Sequence, residues 1–347
     1  MVYLLLIILY VICLISYFEE ELGDNKWYVY WGVGVVLILM AAFRPLGIDN
    51  DSETYDMYFA NYDTPLYEGF VEFSFLFLAE IFYNAFGDVH SIFLFYALFG
   101  VSLKFVAIRR LTPLAFLAVA IYLGHYYILH ELTQIRAGIA SGFFLLSIKP
   151  LAEGRRLAAA AYMAAALFFH YSSAVLFPLL LLSNKEMTQK VRLCWASIVP
   201  VGFLMYFLHL GISTIPLPFI GEKLELYDML KEEGTFDEIN VFNAVFLVKN
   251  VMFLYFLYMY DTVKSENPYF PLMLKIMGLS IFSYLALSSI PIVAMRVSEL
   301  LGIVDIILFT CLYYTVRPSW LSRAMVLSIS LVYLYLNLFH EPILKID

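Results

Sequence analysis

The feature that most constrains this chain is a succession of apolar segments separated by short polar stretches. They run approximately over 2–18, 27–43, 71–87, 89–108, 113–131, 135–149, 156–169, 171–183, 193–211, 241–260, 269–288, 295–316 and 321–339. Backbone placed in hydrocarbon must satisfy its own N–H and C=O groups, and single segments of this length do so as helices. The expectation is an all-α polytopic integral membrane protein with about 11 to 13 transmembrane helices, forming a single transmembrane domain over residues 1–347. Composition agrees, since only 14% of residues are charged where a soluble domain carries about a quarter.

Several segments fall short of the roughly 20 residues that a straight crossing needs. The pair 156–169 and 171–183 reads either as a hairpin of half-helices or as one bent element meeting at Phe169-His170-Tyr171. Segment 2–18 lacks a basic leader and a small-residue cleavage site, which predicts a retained helix. Cys13, Cys194 and Cys311 all fall inside apolar runs, without metal-ligand spacing, and read as packing residues. The net charge of -8 argues against a nucleic-acid partner.

Basic residues concentrate in alternate connections. Lys104, Arg109 and Arg110 form one group, followed by Lys149, Arg155 and Arg156, then Lys185, Lys190 and Arg192, then Arg317 and Arg323. The positive-inside rule assigns these to the cytoplasm. The connections at 131–135, His170, 212–240 and 289–294 should then face outward, which places Arg136, His170 and Arg296 near one outer face. The stretch 44–70 breaks the alternation, because two full crossings between residue 71 and Arg109 would put this acidic loop inside. The favoured solution is an outward loop beside a re-entrant or interfacial segment. In the long outer loop 212–240, GEKLELYDMLKEEG sets Leu226, Met229 and Leu230 at helical spacing. That pattern suits a short helix lying along the interface, or a solvated connection.

An ionisable group inside an apolar segment costs several kcal/mol unless it finds a partner or lines a cavity, so each is a candidate for function. Arg136 opens a helix rich in small residues, where free N–H groups and a guanidinium suit an anion; the alternative is an arginine snorkelling to headgroups. His170 sits at a break in the apolar pattern, as a base, an acid, a phosphate donor or a hydrogen-bonded core residue. Arg296 and Glu299, at i and i+3, form an intramembrane ion pair or an oriented arginine clamp. Arg44 with Asp49, Asp51 and Tyr55, in FRPLGIDNDSETYDMYF, offers one guanidinium with acceptors for sugar hydroxyls or a proton, or else a solvated acidic loop. Asp49 and Asp51 hint at a divalent-metal pair, but the remaining oxygen ligands are missing from the pattern, so no metal and no cofactor is expected. Glu68 and Glu72 enter the next apolar run, and Glu72 lies the deeper. With no P-loop, dinucleotide fingerprint or GxSxG elbow, a soluble sugar nucleotide or ATP is not the expected substrate.

Taken together, the pattern Gly47, Asp49, Asp51, Tyr55, then EGFVEFSF, then QIRAGIASGFFLLSI with Gln134 at its head, then FFHYSSAV, and a late Arg296-x-x-Glu299, resembles the EpsG-like branch of Wzy-type oligosaccharide repeat-unit polymerases. The resemblance runs from about residue 40 to 300. It implies a GT-C-like helical architecture in a bacterial inner membrane. It further implies a glycosyltransferase that joins undecaprenyl-pyrophosphate-linked oligosaccharides at the outer, periplasmic side into O-antigen, capsule or exopolysaccharide. Both Asp49 and Asp51 are candidates for the family aspartate. On this reading Arg136, Arg296 and Arg44 hold the pyrophosphate, and the base comes from His170, Asp49, Asp51 or Glu72, with His170 preferred for its intrinsic pKa. Tyr55, Glu299 and Gln134 support them. The implied partners are the lipid-linked oligosaccharide, membrane lipids and a chain-length regulator. The alternatives are an O-antigen ligase, another polyprenyl-dependent glycosyltransferase, or a flippase for the lipid-linked unit.

Overall fold

The computed structural model describes residues 1–67, 71–210, 239–340 and 342–345. Glu68 and the segment GEKLELYDMLKEEG lie outside the described residues. Among those described the chain is helical, with no strand and one isolated antiparallel bridge, between Asp49 and Leu344. Six helices are long and apolar enough to cross a membrane, and seven shorter apolar helices of 10–17 residues accompany them. The protein is therefore an all-α polytopic membrane protein. The described residues divide into two compact units: Met1–Ser183 with Asp305–Asp347, and Asn184–Val304.

The first unit begins with α1 (Val2–Tyr17) and α2 (Lys26–Ala42), followed by two short helices, α3 (Ser52–Ala60) and α4 (Phe73–Phe86). Next come α5 (Val89–Leu111) and α6 (Ala115–Ile121), the latter running into a π-helical stretch over Tyr122–Thr133, and then α7 (Ile135–Ala152) and α8 (Arg156–Phe169). Pro45 follows α2 closely, and Gly87, at φ 67°, stops α4 in the left-handed conformation that glycine adopts without a Cβ penalty. The next residue, Asp88, starts α5 by accepting the His90 N–H at 2.9 Å. Stop and start signals thus stand side by side in FGDVH.

The α4 helix does not carry the chain across. At 14 residues it spans about 21 Å, short of the roughly 30 Å hydrocarbon layer. Its first turn touches the start of α7, while its last turn leads directly into α5. The α5 start is tied to the end of α2, because His90 Nε2 lies 3.2 Å from the Arg44 carbonyl. Both ends of α4 therefore belong to the same end of the bundle. At the opposite end, the Tyr30 hydroxyl donates to the Phe105 carbonyl at 2.9 Å and the Arg109 guanidinium lies 4.4 Å from the Trp27 ring. Arg109, Arg110, Lys149, Arg155 and Arg156 follow from the helix directions at that end. The acidic stretch 44–67 gathers at the other. A segment 71–87 too short for a straight crossing accords with the acidic and basic stretches lying at opposite ends.

One assignment from the charge pattern is corrected. Lys104 is not in a connection but inside α5 and fully buried, with its ammonium 2.5 Å from Glu131 Oε1 and 2.6 Å from the Gly138 carbonyl. The Tyr122 hydroxyl donates to the same Glu131 oxygen at 2.9 Å. An ion pair this deep persists because both charges are paired and further hydrogen bonded. Glycines stand beside it for want of room: a Cβ on Gly100 would run into the Glu131 carboxylate, and one on Gly138 would crowd the His130 carbonyl and the same carboxylate. Lys104 escapes the positive-inside reading because it stands a turn and more inside the helix from Arg109.

In the second unit, Gln189–Ala196 and Ile198–Phe207 form one nearly continuous crossing, joined by Ala244–Tyr258, Phe270–Ala286 and Pro291–Gly302. Lys249 is buried here and donates to Ser280 Oγ at 2.8 Å, and that hydroxyl donates to the Ser298 carbonyl at 2.6 Å. The apolar segment 295–316 is not one helix. Its first part ends at Gly302, and Asp305 to Thr315 belongs to the first unit as two short α-turns around a 3-10 turn.

Candidate active site

Glu72 lies just before α4 in extended backbone and is 5% exposed. One of its oxygens, Oε2, accepts from Arg136 Nη1, and the other, Oε1, lies 2.8 Å from His170 Nδ1. Three residues separated by 64 and 98 positions from Glu72 to each partner meet at one carboxylate. Each is placed by an element boundary. Arg136 is the second residue of α7, in the turn whose N–H groups lack intrahelical partners. His170 is the extended residue, φ -151° and ψ 114°, between α8 and the 3-10 helix Tyr171–Leu181. The two apolar pieces around it are thus separate elements that meet at His170.

Aromatic residues brace the arginine. Its guanidinium carbon lies 5.5 Å from the Tyr55 ring and 6.0 Å from the Phe75 ring, both buried. Charge on a guanidinium held over ring faces is attracted by their quadrupoles. On the other side, the Tyr171 hydroxyl accepts the Phe73 N–H at 3.2 Å, tying the residue after His170 to the residue after Glu72. Gln134 shapes the entry to α7: its N–H donates to the Leu129 carbonyl at 2.8 Å and its carbonyl accepts from Gly138 N at 2.9 Å.

Arg44 and Asp49 form a separate pair. Arg44 Nε donates to Asp49 Oδ2 at 3.0 Å, with both side chains wholly shielded from solvent, and Arg44 Nη1 donates to the Ala41 carbonyl at 2.7 Å. The guanidinium carbon sits 3.9 Å from the Phe93 ring centre. Asp49 Oδ1 accepts from the N–H groups of Asp51 and Ser52 at 2.9 and 2.8 Å, which folds the Gly47–Ser52 turn and starts α3. As placed, these groups shape the turn that presents Tyr55 to Arg136. Among the described residues no third His, Cys, Asp or Glu joins Asp49 and Asp51 in a metal-sized cluster. Arg296 and Glu299 are carried by the second unit, on Pro291–Gly302, with Arg296 exposed and Glu299 half-buried there.

Sequence reasoning passed over several buried groups. Glu131, placed in a connection by the charge pattern, belongs to the Lys104 pair. His130 lies 3.1 Å from Ser141 Oγ, and Asp305 accepts from the Tyr126 hydroxyl at 3.4 Å. Lys249 was not singled out either. Each has one signal in common: a lone polar or charged residue within an apolar run.

A profile of the EpsG family matches residues 27–345, nearly the whole chain. The chain belongs to the EpsG family. EpsG proteins are Wzy-like polymerases, so this EpsG-family protein is a membrane protein of the Wzy-like, exopolysaccharide-related kind, with a lipid-linked oligosaccharide as the class of substrate the family suggests. Comparison with curated proteins and with solved structures found no match.

Proposed function

We propose that this EpsG-family protein is a glycosyltransferase that polymerises undecaprenyl-pyrophosphate-linked oligosaccharide repeat units at the outer face of a bacterial inner membrane. Its products are O-antigen, capsule or exopolysaccharide. The observation that carries the reading is the single carboxylate of Glu72 holding Arg136 and His170 together at one end of the bundle. With Nδ1 turned to a carboxylate, the imidazole has a fixed orientation, and Nε2 is the position at which a proton is exchanged.

In the proposed step a hydroxyl of the acceptor saccharide attacks the anomeric carbon of the donor. The bond from that carbon to the pyrophosphate oxygen breaks, and a glycosidic bond forms. His170 takes the hydroxyl proton, while Glu72 stabilises the resulting imidazolium. The departing pyrophosphate carries the displaced electron pair, and the Arg136 guanidinium faces the charge that develops there. Cleavage of the donor's own bond between the anomeric carbon and the pyrophosphate oxygen drives the transfer, so no ATP enters the step.

Purified protein in detergent, mixed with lipid-linked repeat units, should lengthen the saccharide chains although no membrane separates two sides. No extension in detergent, with translocation of the lipid-linked unit once the protein is reconstituted in vesicles, would contradict the reading. Arg136→Lys keeps the charge but loses the planar two-point grip. It should lower the extension rate by about 10²- to 10³-fold while insertion and thermal stability are retained.

A further inference from the structure

Beside the Glu72 contacts, within the first unit, opens a groove of about 450 Å³ whose lining includes Tyr62, Asp63, Phe73, Phe77, Glu80 and Tyr171. Two of its lining residues are chain neighbours of the candidate active site: Phe73 follows Glu72, Tyr171 follows His170, and the Phe73 N–H donates to the Tyr171 hydroxyl at 3.2 Å. Phe73, Phe77 and Glu80 stand at i, i+4 and i+7 and so share one face of α4. The rings of Phe73 and Phe77 are stacked, 5.9 Å apart and 18° from parallel, and both are largely exposed. Charge along the groove is of one sign: Asp63 and Glu80 are carboxylates, and no Lys, Arg or His lines it among the described residues.

These features select a ligand. Open aromatic faces offer flat apolar contact, and carboxylates and phenolic oxygens accept hydrogen bonds from hydroxyls. A diphosphate would meet repulsion from two carboxylates, and an isoprenoid chain would strip water from them without return. A sugar ring satisfies both sets. We propose that this groove seats the phosphate-free, non-reducing end of the acceptor saccharide and directs its hydroxyl toward His170. The assignment rests on the glycosyl-transfer reading above. It divides the substrates by charge, the donor diphosphate at Arg136 and the uncharged saccharide end in the acidic aromatic groove.

The test uses the full-length protein in detergent and the repeat-unit oligosaccharide freed from its lipid by mild acid and stripped of phosphate. Saturable binding is expected by calorimetry, and Phe77→Ala and Glu80→Gln should each weaken it about tenfold. Phe77→Tyr, which keeps the ring, should retain it, and all three should unfold at the wild-type temperature because the residues are exposed. In chain extension Phe77→Ala and Glu80→Gln should raise the half-saturating concentration of lipid-linked unit, with little change in maximal rate, and Phe77→Tyr should leave it at the wild-type value. Absence of binding to the wild type, or wild-type binding by Phe77→Ala and Glu80→Gln, would overturn the proposal. So would a result in which Phe77→Ala weakens retention of undecaprenol and leaves saccharide binding unchanged. Because binding is read without turnover, the two readings fail separately. Groove variants that bind normally, alongside Glu72 variants that do not extend chains, would remove the groove alone. Weakened binding in groove variants, with full extension by Glu72 and His170 variants, would remove the chemistry alone.

Discussion

At the scale of single residues, the site is a question of which buried charges are committed to structure and which face a substrate. Arg44 and Arg136 look alike in the sequence, each an arginine at a helix end with small or acidic neighbours. The structure gives Arg44 a fully shielded partner, a backbone carbonyl and a ring face. Arg136 keeps 18% of its side chain accessible and shares its carboxylate with a histidine. Removing Arg44 would leave Asp49 buried with its backbone contacts only. Arg44→Met is therefore expected to destabilise the protein by about 3–5 kcal/mol, read as a lower unfolding midpoint in detergent. A stable Arg44→Met protein that has lost extension alone would instead place Arg44 at the pyrophosphate. Arg136, His170 and Glu72 are legible in the sequence because each is a polar residue at the edge of an apolar run. Their convergence is not, since it depends on how α4 turns back and on the break at His170. Nothing local in the sequence encodes a contact spanning 98 positions.

At the scale of elements, the buried Lys104–Glu131 pair joins α5 to the π-helical stretch before α7, and Lys104 also binds the carbonyl of Gly138 in α7, two residues beyond Arg136. Replacing one member leaves the other uncompensated. Lys104→Met and Glu131→Leu should each cost about 3–5 kcal/mol, and the double replacement should recover much of that loss. Thermal unfolding of the three variants checks this; additive losses would contradict it. The pair escapes a reading by charge pattern because Lys104 stands close to Arg109 and Arg110 in the sequence, and only its depth in the helix distinguishes it. The start of α5 gives a pH-dependent case. Hydrogen bonds from the His90 N–H and ring hold the Asp88 carboxyl below its ordinary value of 3.8. The folded state thus binds this proton more weakly than the unfolded chain does. Its contribution to stability is full above the ordinary value and is lost as the pH falls through the folded one. The midpoint difference between wild type and Asp88→Ala should accordingly shrink as the pH drops below about 4. A difference that stays constant would reject the cap.

At the scale of the whole molecule, the apolar pattern makes the fold class plain, because hydrocarbon leaves helices as the only economical backbone for single segments. The number of crossings is less plain. Segments 71–87 and 89–108 both read as apolar runs, yet α5, at 23 residues, is long enough to span and α4, at 14, is not, a difference set by length and by the Gly87-Asp88 punctuation. Segment 295–316 divides where Gly302 ends a helix, and its two parts belong to different compact units. What the first unit builds from these elements is one end rich in carboxylates and aromatic rings and one end rich in lysine and arginine. The central claim is that Glu72, His170 and Arg136 act there as one catalytic assembly. The most direct measurement is the chain-extension rate of Glu72→Gln, His170→Gln and the double variant in detergent. If the three residues act together, each single substitution lowers the rate by about 10²- to 10³-fold and the double is no slower than the worse single. Losses that multiply, or full extension by either single variant, would contradict the account.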